Sequence, residues 1–173
     1  MSYRRLSGRT GPGAGRPSKL YRRSARELQV SVPTRQYELL AKLLAGALSA
    51  SRSAPAARAL GAGTRDLGLS LGTEARARAG PRPSRERLLA SAREVLGRFG
   101  FDPYRGENGE IRLRNCPFDA PAREYRDVVC RMNVELMDGV LEGLRASGFA
   151  ASFEPQAGMC CVALRRRAAP TTR

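Results

Sequence analysis

Four cysteines stand in a chain of 173 residues that contains no histidine. Cys116 lies in the stretch LRNCPFD, Cys130 follows in VVC, and Cys160 and Cys161 are adjacent in GMCCVAL. Thiols without imidazole leave three chemistries open: small buried hydrophobes, a thiolate-held metal or cluster, or a redox device. Any one cysteine taken alone reads best as a core residue. Three of them at the ends of elements that can converge read better as a ligand set. Structural zinc sites usually carry the closely spaced C-x₂₋₄-C pair that is missing here, whereas iron-sulfur clusters are held by thiolates at wider spacings.

The elements that must bring these residues together can be read from local patterning. In EIRLRNCPF, Ile111 and Leu113 alternate with polar residues as a half-buried strand requires, so Cys116 closes that strand just ahead of Pro117. A strand-to-helix turn there offers backbone N–H groups to a thiolate. A long helical region follows from about 120 to 147, with Tyr125, Val128, Val129, Met132, Leu136, Val140 and Leu144 as its core stripe. Cys130 falls off that stripe at the helical repeat, unless the helix breaks between Tyr125 and Asp127, which puts Cys130 in a first turn near Cys116. Cys160 and Cys161 are expected in a strand, with side chains on opposite faces, so that one of them joins the others more easily than both.

Upstream, PSRERLLASAREVLGRFGF predicts a helix capped by Ser84, with Leu88, Leu89, Ala92, Val95, Leu96 and Phe99 on one side and Gly100 as the stop. PTRQYELLAKLLAGAL predicts another, with Pro33 in its first turn, Ser31 as cap, and Tyr37, Leu40, Leu44 and Leu48 on one apolar face. Residues 51–83 are rich in Ala, Arg, Gly, Ser and Pro with few large apolar side chains, and read as a linker. Near the N-terminus, Tyr3–Leu6 and Lys19–Arg22 flank a Gly/Pro/Arg loop and are expected to pair as a hairpin. Helix, strand, helix, strand, strand in the C-terminal half describes a small α/β sandwich within an α+β chain.

Lys and Arg outnumber Asp and Glu by 31 to 16, a net charge of +15 that favours a polyanionic partner such as nucleic acid. The excess is local. Residues 1–26 carry Arg4, Arg5, Arg9, Arg16, Lys19, Arg22, Arg23 and Arg26 without an acidic residue, whereas 121–148 is close to neutral. No secretory signal and no apolar run of membrane-spanning length is present, so a cytoplasmic protein without membrane contact is expected. Thiols stay reduced in that compartment, which disfavours structural disulfides. With no histidine, no phosphate-binding Gly-rich loop and no carboxylate pair in an acid/base setting, neither an enzyme nor a small-molecule substrate is expected; Glu135, Asp138 and Glu142 read as solvated charge.

The stretch GRPSKLYRRSARELQVSVPTRQYELLAKLLAGAL resembles the wing hairpin and following helix of bacterial winged-helix regulators of the ArsR-like group. The NCPF, VVC and GMCCVAL elements resemble the sensor half of their iron-sulfur members, the SufR-like repressors. The resemblance implies a homodimeric, DNA-binding transcriptional regulator that senses iron-sulfur or redox status through a cysteine-ligated cluster. Carried over by position, Cys116, Cys130 and Cys160 are its ligands, and Cys161 is a fourth ligand, a local substitute or a bystander. It also implies a division into a basic wing remnant (1–31), a dimerisation helix (32–50), a linker (51–83) and a cysteine sensor domain (84–167). DNA contacts are expected from Arg4, Arg5, Arg9, Arg16, Lys19 and Arg22. The family's recognition helix precedes the wing, and Met1 stands almost at the wing's first strand, so the chain is expected to lack that helix. The alternative expectation is a sensor and dimerisation protein that modulates a full-length regulator without binding DNA itself.

Overall fold

The computed structural model describes residues 2–4, 6, 8, 11–13, 15–21 and 36–167. The chain divides into two units, residues 1–35 and 36–173. In the first, β1 (Ser2–Arg4) pairs antiparallel with β2 (Ser18–Leu20), in the register Ser2 to Leu20 and Arg4 to Ser18. The expected hairpin is therefore present, each strand beginning one residue and ending two residues nearer the N-terminus. Gly11 and Gly13 take φ values of +93° and +85°, a conformation open to glycine at little cost, and this lets the intervening loop reverse. Arg4, Arg16 and Lys19 are exposed on this unit. Arg5, Arg9 and Arg22, also expected at DNA, lie outside the described residues, as do Ser31 and Pro33.

The second unit is a mixed helix and sheet body. Its first helix, α1 (Tyr37–Ser51), buries no residue: Leu39, Leu40, Leu43 and Leu44 are all more than half exposed. Arg52 turns the chain with a left-handed φ of 47°, and Ser53 then caps α2 (Ala54–Arg78), accepting a hydrogen bond from the Ala56 amide at 3.3 Å. The linker expected over 51–83 is thus a 25-residue helix.

What α2 buries explains why it resembled a linker. Its buried positions are Gly68, Gly72 and Ala75, and they press against α5 (Arg126–Gly143), which answers with Gly139 and Gly143. A β-carbon on Gly68 would land on the Leu136 carbonyl oxygen, one on Gly72 on that of Val140, one on Gly139 on that of Arg65 and one on Gly143 on that of Leu69. Contacts advance along both helices together, so α2 and α5 run side by side in the same direction. Such a seam needs no large side chain on α2, because the backbones themselves are in contact. Arg65 spans its exposed edge, bonding Glu135 at 3.1 Å and Glu142 at 2.9 Å. These two carboxylates, expected to be merely solvated, are paired. Asp138 is also engaged, accepting a hydrogen bond from the Ala151 amide at 2.8 Å.

Ser84 caps α3 (Arg85–Arg98) as expected, its hydroxyl accepting from the Arg87 amide at 3.2 Å. The four-stranded antiparallel sheet follows in the order β3 (Pro103–Arg105), β4 (Ile111–Leu113), β6 (Val162–Arg166), β5 (Phe149–Phe153). Leu89, Leu96, Ile111, Leu113, Met137, Val140, Leu144, Val162 and Leu164 form the core between sheet and helices. The helical region breaks at Tyr125, leaving a short α4 (Asp119–Glu124) before α5. Because α5 is packed against α2 on one side and the sheet on another, burial reaches beyond a single stripe and includes Cys130 and Asn133.

The seam predicts opposite effects for two glycines. Gly139→Ala is expected to lower stability by about 2–3 kcal/mol through overpacking. Gly63→Ala, at an exposed α2 position with nothing within 4 Å of the added carbon, is expected to raise it by about 0.5–1 kcal/mol. Chemical denaturation of both variants beside the wild type measures the difference.

Candidate functional site

Cys116 sits in the loop between β4 and α4, where its carbonyl accepts from the Asp119 amide at 3.1 Å. Pro117 and Phe118 follow it, and the Phe118 ring meets Phe101 edge-on at 6.1 Å, packing the turn against the core. Cys130 lies in the second turn of α5. Cys160 and Cys161 are not in a strand, as was expected; they precede β6. The Cys160 amide donates to the Leu113 carbonyl at 3.1 Å and the Cys161 carbonyl accepts from the Glu154 amide at 2.6 Å, so this short segment is fixed from both sides.

All four thiols are free, and they meet as two interacting pairs, Cys116 with Cys160 and Cys130 with Cys161. Each pair joins one half-buried sulfur, Cys116 or Cys161, to one buried sulfur, Cys160 or Cys130. The restriction expected for adjacent strand residues is lifted because the chain is not extended at 160–161, so both cysteines reach the site. Among the described residues, no three His, Cys, Asp or Glu side chains are grouped as an ion would require. The sulfurs are gathered, two and two, without a preformed cage.

Asn133, one turn beyond Cys130 and 1% exposed, was not singled out by sequence. Its Nδ2 donates to the Cys116 sulfur at 3.6 Å and to the Cys160 sulfur at 4.0 Å, while its buried Oδ1 has no hydrogen-bond partner among the described residues. A polar residue one turn after a cysteine, between the apolar positions Val129 and Leu136, is the available signal.

The pairs are electrostatically unequal. The Cys160 thiol, acting on Cys116, lowers the Cys116 pKa to about 7; the Phe118 amide and Asn133 assist, and burial opposes. Cys160 is displaced upward by the same contact and by burial. Burial, then Cys161, pushes Cys130 up to about 12. Like charges at close range resist joint ionisation, so within its pair Cys116 is the thiol that ionises first and Cys160 the one that keeps its proton.

No family model, curated protein or solved structure matches the chain. What the site can do must therefore be argued from its own donors. Four thiols with no imidazole and no carboxylate among them are soft ligands, and the buried amide of Asn133 supplies the hydrogen bond to sulfur that thiolate sites require. In type, though without a three-ligand grouping among the described residues, these are the donors that thiophilic metals and iron-sulfur clusters take.

The loop bearing Cys160 and Cys161 is held by the outer face of the sheet. Glu154, whose amide bonds to Cys161, has its carboxylate clamped by Arg165, by Ser152 at 2.7 Å and by Arg112 at 2.7 Å. Arg165 foremost, with Ser152 and Arg112, lowers its pKa to about 2 against the opposing effect of burial. A carboxyl with a depressed native pKa stabilises the fold above its unfolded value and loses that contribution as pH falls through the native one. Glu154→Gln is therefore expected to cost about 1–2 kcal/mol at neutral pH, after allowance for partial exposure. The difference from wild type should close as pH falls from 4.5 toward about 2, which paired denaturation curves across that window measure.

Proposed function

We propose that this protein is a DNA-binding transcriptional regulator of repressor type that reports iron-sulfur or redox status through its four cysteines. The observation that carries the reading is the meeting of thiols from three separate segments beside a buried amide that donates to two of them. Cys116, Cys130 and Cys160 would hold the cluster, with Cys161 as a fourth ligand because it pairs with Cys130. When bound, the cluster supplies a group that responds to iron supply and to oxidants. The chain's own residues do the rest: Asn133 and the Phe118 amide offset charge on sulfur, and the turn, the helix and the 160–161 segment are tied together.

Two further features support a regulator. The exposed Arg4, Arg16 and Lys19 of the hairpin suit DNA phosphates, with Arg5, Arg9 and Arg22 as additional expected contacts. The exposed Leu39, Leu40, Leu43 and Leu44 give α1 an apolar surface that a second copy of the chain would cover, in keeping with a homodimer. That same surface favours the alternative, a dimerising modulator of another regulator that does not bind DNA itself. No described helix is long and apolar enough to cross a membrane.

Protein purified without oxygen is expected to contain iron and acid-labile sulfide together and to lose both in Cys116→Ser, Cys130→Ser and Cys160→Ser. Its affinity for duplex DNA should fall linearly with salt on logarithmic axes, by a slope of about 0.9 per phosphate neutralised. Colourless protein that resists reconstitution overturns the cluster reading. Absence of DNA binding at low salt, with a dimer by light scattering, selects the modulator.

A further inference from the structure

We propose that the metal-free protein carries a specific oxidation site, in which a peroxide converts Cys116 and Cys160 into a disulfide before any other pair of its cysteines. The inference concerns the protein without metal and does not require the cluster.

Geometry singles out the pair: the Asn133 Nδ2 lies 3.6 Å from the Cys116 sulfur and 4.0 Å from the Cys160 sulfur, which brings these two side by side. The Cys130 thiol is engaged mainly with Cys161. Cys160 and Cys161 are adjacent in the chain, where a disulfide would have to distort the intervening peptide. Cys116 is half-buried whereas Cys160 is 3% exposed, so Cys116 is the member of the pair that a small oxidant meets first. An accessible sulfur backed by an inaccessible partner is the arrangement of an attacking and a resolving thiol. Asn133 adds what the second pair lacks: one buried amide donates to both Cys116 and Cys160, holding the sulfurs together and stabilising negative charge on whichever bears it.

Cys116, as thiolate, attacks one oxygen of hydrogen peroxide; the S–O bond forms, the O–O bond breaks, and hydroxide leaves to be protonated to water. Cys160 then gives up its proton and attacks the Cys116 sulfur; the S–S bond forms, the S–O bond breaks, and the second oxygen leaves as water. Two electrons pass from the sulfurs to the peroxide, and a dithiol reductant reverses the change by exchange. Once formed, the bridge ties the turn after β4 to the segment before β6 and removes two donors from the thiol group.

The test uses the full chain, reduced and freed of metal by chelation without oxygen, treated with one equivalent of hydrogen peroxide and quenched with an alkylating reagent. Peptide mass mapping, with fragmentation between Cys160 and Cys161, is expected to find the Cys116 to Cys160 link first and to see it disappear with dithiothreitol. In Cys160→Ser, Cys116 should instead accumulate as the sulfenic acid, trapped by dimedone. Asn133→Leu should slow formation of the link about tenfold relative to wild type at equal folding by circular dichroism, the loss expected for a hydrogen bond to a charged group. A first-formed link between any other two cysteines overturns the proposal, as does conversion of Cys116 to sulfinic acid without a disulfide. Iron and sulfide content of separately purified protein reports on the cluster independently, so either reading can fail alone.

Discussion

Two helices approach so closely that four α-carbons rest against the opposing backbone, and the rest of the α/β unit is arranged around that contact. Gly68 and Gly72 of α2 and Gly139 and Gly143 of α5 leave no room for a β-carbon. The constraint is steric before it is energetic. Any side chain there would push α5 off α2, and α5 is the element that also faces the sheet through Met137, Val140 and Leu144. The seam thus fixes the one helix on which both the core and the thiol group depend.

From α5 the consequences pass directly to the site. Cys130 and Asn133 lie on its N-terminal half, so their depth and rotation follow from where the glycines hold the C-terminal half. The sheet supplies the remaining sulfurs from two loops, one leaving β4 and one entering β6, which are joined by the bond from the Cys160 amide to Leu113. The ion-pair network of Arg112, Glu154 and Arg165 braces the second of these loops from the sheet's outer face. A buried Asn133 with one unpaired oxygen is costly to retain in an apolar interior. Its hydrogen bonds to two sulfurs are the compensation visible in the structure, and they place that cost between Cys116 and Cys160.

Much of this was legible in sequence, and the exceptions have physical causes. The Ser84 cap, the Ile111 and Leu113 alternation and the glycine-bearing hairpin loop all obey local rules, and those elements lie close to where the patterning puts them, whereas the break at Tyr125 divides a region that reads as one long helix. Helix α2 shows no periodicity of large apolar residues because its seam is made of Gly68 and Gly72, matched by the Gly-x₃-Gly spacing of Gly139 and Gly143 in α5. Cys130 falls off a single core stripe and is nevertheless buried, because α5 is covered on two sides. Cys160 and Cys161 were assigned to a strand by their apolar neighbours, yet the strand begins only at Val162, and this shift lets both approach the other thiols. Asn133 carries no motif, and its role is visible only once the loops are folded over α5.

The proposed function requires the four cysteines to act as one thiolate site. Cadmium titration of the reduced, metal-free protein, followed by differential alkylation and mass mapping, tests it most directly, since a soft cation seeks thiolates without requiring sulfide or iron. The account predicts that one equivalent protects Cys116, Cys130, Cys160 and Cys161 together. Protection of the two pairs in separate steps, or of none, would contradict it.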